Sequence, residues 1–229
     1  ATIELASTMI EESRHAEAID VLDSLFESAS LPAALCDAAR YQAVWARFSL
    51  GEHQAVIDLL DGSTPACDSH ELTTATRFLL AESLLAVGRA SAAADRFAVI
   101  VLTAPESAEH APSLLRLGEA QGAAQRWTES TAAYTTYLET YPDSSDWFRA
   151  RFGLGWAAEN AGDPEGAMSH YRLVTDSHRG ATAARAQFQI GECLFAQGRH
   201  EEAVRELLRV DILYAEPEWS AAALYEAGR

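Results

Sequence analysis

The chain has 229 residues, 48% of them apolar, with 34 acids, 17 basic residues and a formal net charge of −17. The length and apolar share suffice for a sizeable core, while the excess of acid opposes phosphate backbones and anionic membrane surfaces, so no nucleic-acid partner is expected. Every basic residue is arginine, no apolar run reaches the roughly 18 residues of a membrane span, and "ATIELASTMIEE" lacks the basic start and apolar middle of a signal peptide. A start on alanine leaves a processed or omitted targeting segment open. Cys36, Cys67 and Cys193 are an odd, widely spaced set that supports neither a disulfide framework nor a metal knuckle, and leaves the redox compartment open.

Taken in chain order, the sequence returns to one short pattern: "SRHAEAI" from Ser13, "GEHQAVI" from Gly51, "GRASAAA" from Gly88, "QRWTEST" from Gln125, "GDPEGAM" from Gly162 and "GRHEEAV" from Gly198. Successive spacings of 38, 37, 37, 37 and 36 divide the chain into approximate repeats 1–36, 37–73, 74–110, 111–147, 148–183 and 184–220, with 221–229 starting another. A single solenoid over 1–229 is the expected organisation. His200, Glu201 and Glu202 look like metal ligands in isolation. The equivalent place two residues past the corner holds His15, His53, Trp127 and Pro164 in other repeats, which no ligand position would tolerate, so corner residues are expected.

Each repeat reads as two helices. Before the corners, Ala39, Ala43 and Ala46; Thr76, Leu80 and Ser83; Ser113, Leu117 and Ala120; Ala150, Leu154 and Ala157; and Ala186, Ile190 and Cys193 gather on one small face at helical spacing. Seven residues before the corner stand Val44, Ala81, Gly118, Gly155 and Gly191. Glycine inside a helix costs about 1 kcal/mol against alanine, which predicts close approach of a neighbouring backbone. After the corners a second helix carries Ala93 and Phe97, Ser130 and Tyr134, Ala167 and Tyr171, or Ala203 and Leu207, and stops near Pro105, Pro142 or Pro217. "DGSTPACDSH" breaks this pattern in the second repeat and predicts an irregular loop.

These residues resemble the tetratricopeptide-repeat family. "SLLRLGEAQGAAQRWTESTAAYTTYLETYPDS" carries the family's Leu-Gly pair as Leu117 and Gly118, its small second-helix residue as Ser130, its aromatic as Tyr134 and its closing proline as Pro142. The spacing and "YPDS" are similar to bacterial cell-envelope members, the periplasmic partner of the Tol-Pal system and the lipoprotein subunit of the outer-membrane barrel-assembly machine. The resemblance implies an all-α, right-handed α-solenoid of antiparallel helix pairs that binds peptides or protein segments on its concave side, with a periplasmic or envelope location favoured over the cytoplasm.

Enzymatic readings fail on context. "GLGWAA", Gly153 to Ala158, fits a dinucleotide fingerprint, but no strand pattern precedes it and Gly118 and Gly191 recur at the same place. "HELTT", from His70, starts like a zinc-protease helix, but its second histidine is Thr74. No catalytic residue, cofactor or metal is expected.

The opposite side of the first helices is not simply polar. Ten residues before the corners stand Tyr41, Phe78, Leu115, Phe152 and Phe188; six before, Trp45, Glu82, Glu119, Trp156 and Glu192; three before, Phe48, Leu85, Gly122, Glu159 and Phe195. Arg149 and Arg185 join this side. Two accounts of the aromatics stand: packing between neighbouring first helices, and a partner-binding groove. Tryptophan appears in two repeats only, which favours selectivity over generic stacking. The groove set is therefore Tyr41, Trp45, Phe48, Phe78, Glu82, Glu119, Arg149, Phe152, Trp156, Arg185, Phe188 and Glu192, and the function that follows is a non-enzymatic scaffold holding an apolar or basic segment. The alternative is a structural solenoid that self-associates through open repeat ends: Ala1 already falls in a first helix, and "WSAAALYEAGR" starts a repeat without a second helix.

Overall fold

The computed structural model describes residues 1–28, 31–61 and 73–229. Among them are thirteen helices and no strand. The first helices of the pairs are α1 (Thr2–Glu11), α3 (Ala33–Ser49), α5 (Thr74–Ala86), α7 (His110–Ala123), α9 (Trp147–Asn160) and α11 (Ala181–Ala196). Their second helices are α2 (His15–Ser28), α4 (His53–Asp61), α6 (Ala90–Thr103), α8 (Trp127–Thr140), α10 (Pro164–Ser177) and α12 (His200–Leu213). A thirteenth, α13 (Pro217–Gly228), starts a further pair. It starts earlier than the repeat spacing indicated, because Pro217 opens α13 instead of closing α12; proline tolerates the first helical turn, where its missing N–H has no partner to lose. The irregular second repeat has the shortest second helix, α4, and residues 62–72, with His70 and Cys67, lie outside the described residues.

One local device makes all six corners. Ser13, Gly51, Gly88, Gln125, Gly162 and Gly198 have φ of 62°, 74°, 79°, 59°, 85° and 74°. The next residue's N–H then reaches back five residues, from Arg14 to Met9, Glu52 to Arg47, Arg89 to Leu84, Arg126 to Gln121, Asp163 to Ala158 and Arg199 to Leu194, at 2.8–3.0 Å. This closes the first helix by satisfying a carbonyl that would otherwise lack a partner, and turns the chain into the second helix. Four corners use glycine for the left-handed conformation. Ser13 and Gln125 adopt it with side chains, at a cost of about 1 kcal/mol each.

The helices sort into two compact units, Ala1–Ser113 and Leu114–Arg229, with the boundary inside α7. In the amino-terminal unit α1 and α5 both pack beside α3, and in the carboxy-terminal unit α9 and α13 both pack beside α11. The small faces read from the sequence are buried at every position except Leu117, which is partly so. The glycines on them face something other than a backbone. A Cβ on Gly118 would stand 2.6 Å from the Tyr134 ring, on Gly155 2.5 Å from the Tyr171 ring, and on Gly191 2.6 Å from Leu207. The large side chain of each second helix thus lies flat on its own first helix, and the glycine makes room for it. Ser130 donates to the Gly118 carbonyl at 2.8 Å, tying the same pair by a buried hydrogen bond.

The cysteines depart from the sequence reading. Cys193 is free and buried, but Cys36, also buried, is disulfide-bonded. One bond among three cysteines leaves no framework spacing to read, which is why the sequence concealed it.

Candidate partner-binding site

Helical spacing places residues ten and six before each corner one turn apart on one side of the first helix. In the carboxy-terminal unit that geometry builds a cavity of about 320 Å³. Phe152 forms part of its floor, 9% exposed and tilted against Tyr171 with ring centroids 5.3 Å apart. Trp156, one turn on, stands edge-on to Trp127 at 5.2 Å and lies over Gly122, where a Cβ would come within 2.7 Å of its ring. In two other repeats the residue three before the corner is Phe48 or Phe195, packed edge-on to His53 at 5.1 Å and to His200 at 4.9 Å. Gly122 empties that place and Trp156 fills it. The rarity of tryptophan here therefore has a packing cause, and the ring still lines the cavity.

The cavity's charges are arranged unequally. Glu119 is committed within the protein: Arg116 donates to one carboxylate oxygen at 2.5 Å and Arg149 to the other at 2.8 Å, with Asp146 3.6 Å from Arg149. This pairing accounts for both residues without a partner molecule. Arg185 differs. Its guanidinium lies 4.7 Å from the Phe152 ring centroid and 5.7 Å from that of Trp219, and it has no ion pair among the described residues. Tyr134 completes the floor between Gly118 and Gly153; burial, then the charge of Glu119, pushes its hydroxyl well above the ordinary range, so it remains an O–H donor.

The remaining predicted groove residues are dispersed. Phe78 packs edge-on to Phe97 at 5.7 Å, and Phe188 against Trp219 at 5.6 Å, so both serve packing. Leu115 is also buried. Glu82 and Glu192 are half-buried; burial, followed by Glu226, raises the Glu192 carboxyl above its usual value. Tyr41 and Trp45 stack on each other in the amino-terminal unit and stay 37% and 40% exposed. Sequence reasoning missed Tyr134, Gly153 and Thr182 as cavity walls because they belong to second-helix core, to a glycine run and to a helix start. Phe152 and Trp156 carried the periodic signal of the groove side; the period of Tyr134 pointed to second-helix packing, and Gly153 and Thr182 were not singled out by theirs.

The acidic corner residues have local partners. His200 opens α12 beside Phe195, Glu202 pairs with Arg199 at 2.7 Å, and Glu201 lies 3.9 Å from Arg205. Among the described residues no three His, Cys, Asp or Glu side chains are placed to hold a metal ion. "GLGWAA" lies inside α9.

Helix pairs joined by one repeated left-handed corner, with small faces buried between them, define an all-α solenoid. Residues 109–182 and 174–216 match the model of the tetratricopeptide repeat. Residues 109–216 are thus tetratricopeptide repeats. Similar solved structures include MamA, residue 41 to the end, from Desulfovibrio magneticus RS-1, at 16% identity over 76% of this chain and 92% of that one, TM-score 0.62. The Podosopora anserina putative kinesin light chain TPR-like repeats share 17% identity over 76% and 92%, TM-score 0.59. A tetratricopeptide repeat protein from Parabacteroides merdae ATCC 43184 shares 14% over 100% and 83%, TM-score 0.57. At these identities the likeness is one of fold. None of the curated proteins matches the sequence.

Proposed function

We propose that this chain is a non-enzymatic scaffold that holds a segment of a partner protein against its first helices. The observation that carries the reading is Arg185: an exposed guanidinium stacked over Phe152, without an ion pair among the described residues, at a half-apolar cavity of about 320 Å³. A cation held at a cavity edge in a chain of net charge −17 favours a carboxylate on the incoming segment, and the Phe152 and Trp156 rings favour an apolar residue next to it. Tetratricopeptide arrays generally act as protein-binding scaffolds, which supports the same reading; fold alone does not assign a partner. The disulfide at Cys36 supports an oxidising compartment, and with the envelope resemblance favours a periplasmic or cell-envelope location.

Selection of peptides from a random library against the whole chain tests this. Enriched peptides should pair an acidic with an apolar residue. Arg185→Ala should weaken them about tenfold, the effect of losing one charge-assisted hydrogen bond, without lowering the melting temperature. Equal binding by wild type and Arg185→Ala would remove this cavity from consideration.

A further inference from the structure

A second cavity, of about 290 Å³, lies where α1 meets α3 in the amino-terminal unit. Three of its walls are unused by the fold. Tyr41 and Trp45 are stacked with an interplanar angle of 24° and centroids 6.5 Å apart, and both rings remain more than a third exposed. Glu11 stands exposed at the end of α1 and has no ion pair among the described residues, whereas its neighbours Glu12 and Glu17 are both held by Arg14, at 2.9 and 2.6 Å. Gln42 also lines the cavity.

We propose that this cavity takes the side chain of an arginine from a partner segment, its guanidinium stacked on Trp45 and Tyr41 and paired with Glu11. An apolar occupant would take water from Glu11 without giving it a partner. Lysine would answer the charge, but it lacks the flat, weakly hydrated face that stacks on indole and the fork of N–H groups that serves both oxygens of a carboxylate. The chain's nearby arginines do not meet the need: Arg14 holds two glutamates, and Arg47 donates to both Asp23 oxygens at 2.6 and 2.7 Å. The proposal rests on the reading that first helices form the docking face, but it concerns another cavity and the opposite charge.

The test is titration of the intact chain, with ¹⁵N-indole signals assigned by single Trp→Phe variants, using a capped Gly-Arg-Gly peptide as probe. The Trp45 signal should move saturably. Glu11→Gln, an exposed substitution, should weaken the probe about fivefold at low salt, the fold-change of a single partly solvated ion pair, and replacing the probe's arginine by neutral citrulline should do the same. The lysine peptide should bind more weakly than the arginine peptide. Absence of a saturable shift at Trp45, equal binding of the citrulline peptide, or tighter binding of the lysine peptide overturns the proposal. Trp156 separates this outcome from the other reading: a response there with Trp45 silent overturns the arginine site and leaves the Arg185 cavity standing. A normal Trp45 response in Arg185→Ala supports the arginine site whatever happens at the Arg185 cavity.

Discussion

Trp45 and Trp156 occupy the same place, six residues before a corner, in the two halves of the chain, and the sequence treats them alike. The structure does not. Trp156 lies over Gly122 and against Trp127, filling a place that phenylalanine takes in two other repeats, while Trp45 stacks on Tyr41 and is 40% exposed. A repeated position fixes where a side chain points. What it meets depends on a residue in the neighbouring repeat, here a single glycine, so equivalent positions can divide into a packed wall and an available ring.

The largest expected effect tests the packed half. Gly155→Leu should drive a branched side chain into the buried Tyr171 ring and cost about 3 kcal/mol, the upper end of overpacking penalties, in urea unfolding of the whole chain. A midpoint unchanged from wild type would show that the ring can move aside and that the close contact is not a constraint.

The direct comparison of the tryptophans comes next. Trp156→Ala should lose about 2 kcal/mol of stability, less than a fully buried tryptophan because the ring is only partly buried; Trp45→Ala should lose less than about 1 kcal/mol, as surface substitutions do. Equal losses would erase the distinction drawn here. A third experiment concerns the corners: Gln125→Gly should raise stability by about 0.5–1 kcal/mol, because it removes the left-handed strain at the cost of a more flexible unfolded chain. Gly162→Gln at the matching corner should lower it, and a rise there would contradict the assigned backbone conformation.

The smallest expected effect is on pH dependence. Burial, and then the charge of Arg151, hold the His170 imidazole below its ordinary value, with Asp163 opposing, and its Nδ1 is buried without a hydrogen-bond partner. The unfolded chain therefore takes up a proton near the ordinary histidine value of about 6.5 that the folded chain still refuses. Stability from this residue is present above that pH and declines as the pH falls through it toward the lower folded value. Thermal melts between neutral and mildly acidic pH should show a decline that His170→Gln reduces.

Much of this architecture was legible because it repeats. The corner pattern located the left-handed residue of all six corners, and the helical spacing of Ala39, Ala43 and Ala46 and their equivalents identified the buried face. The cavity was legible in part: periodicity brought out Phe152, Trp156, Glu119, Arg149 and Arg185, since each shares a face. It did not reveal that Arg149 reaches across to Glu119, because pairing across repeats depends on rotamers rather than spacing. Nor did it reveal that Arg185 has no such pair among the described residues. The disulfide at Cys36 was hidden for a different reason, since covalent pairing depends on distance in space and carries no helical period.

The flat contact between glycine and ring also bears on how such a chain can change. Gly118 with Tyr134, Gly155 with Tyr171 and Gly191 with Leu207 are each sixteen residues apart, so both members of a contact sit within one helix pair. A duplication or exchange that carries a whole pair takes the fitted couple with it, whereas one that cuts at a corner separates the hollow from the side chain that fills it. Cut points between pairs should therefore give foldable chimeras, and cut points at Gly162 or Gly198 should not wherever the donor pair brings a larger residue at the glycine's place.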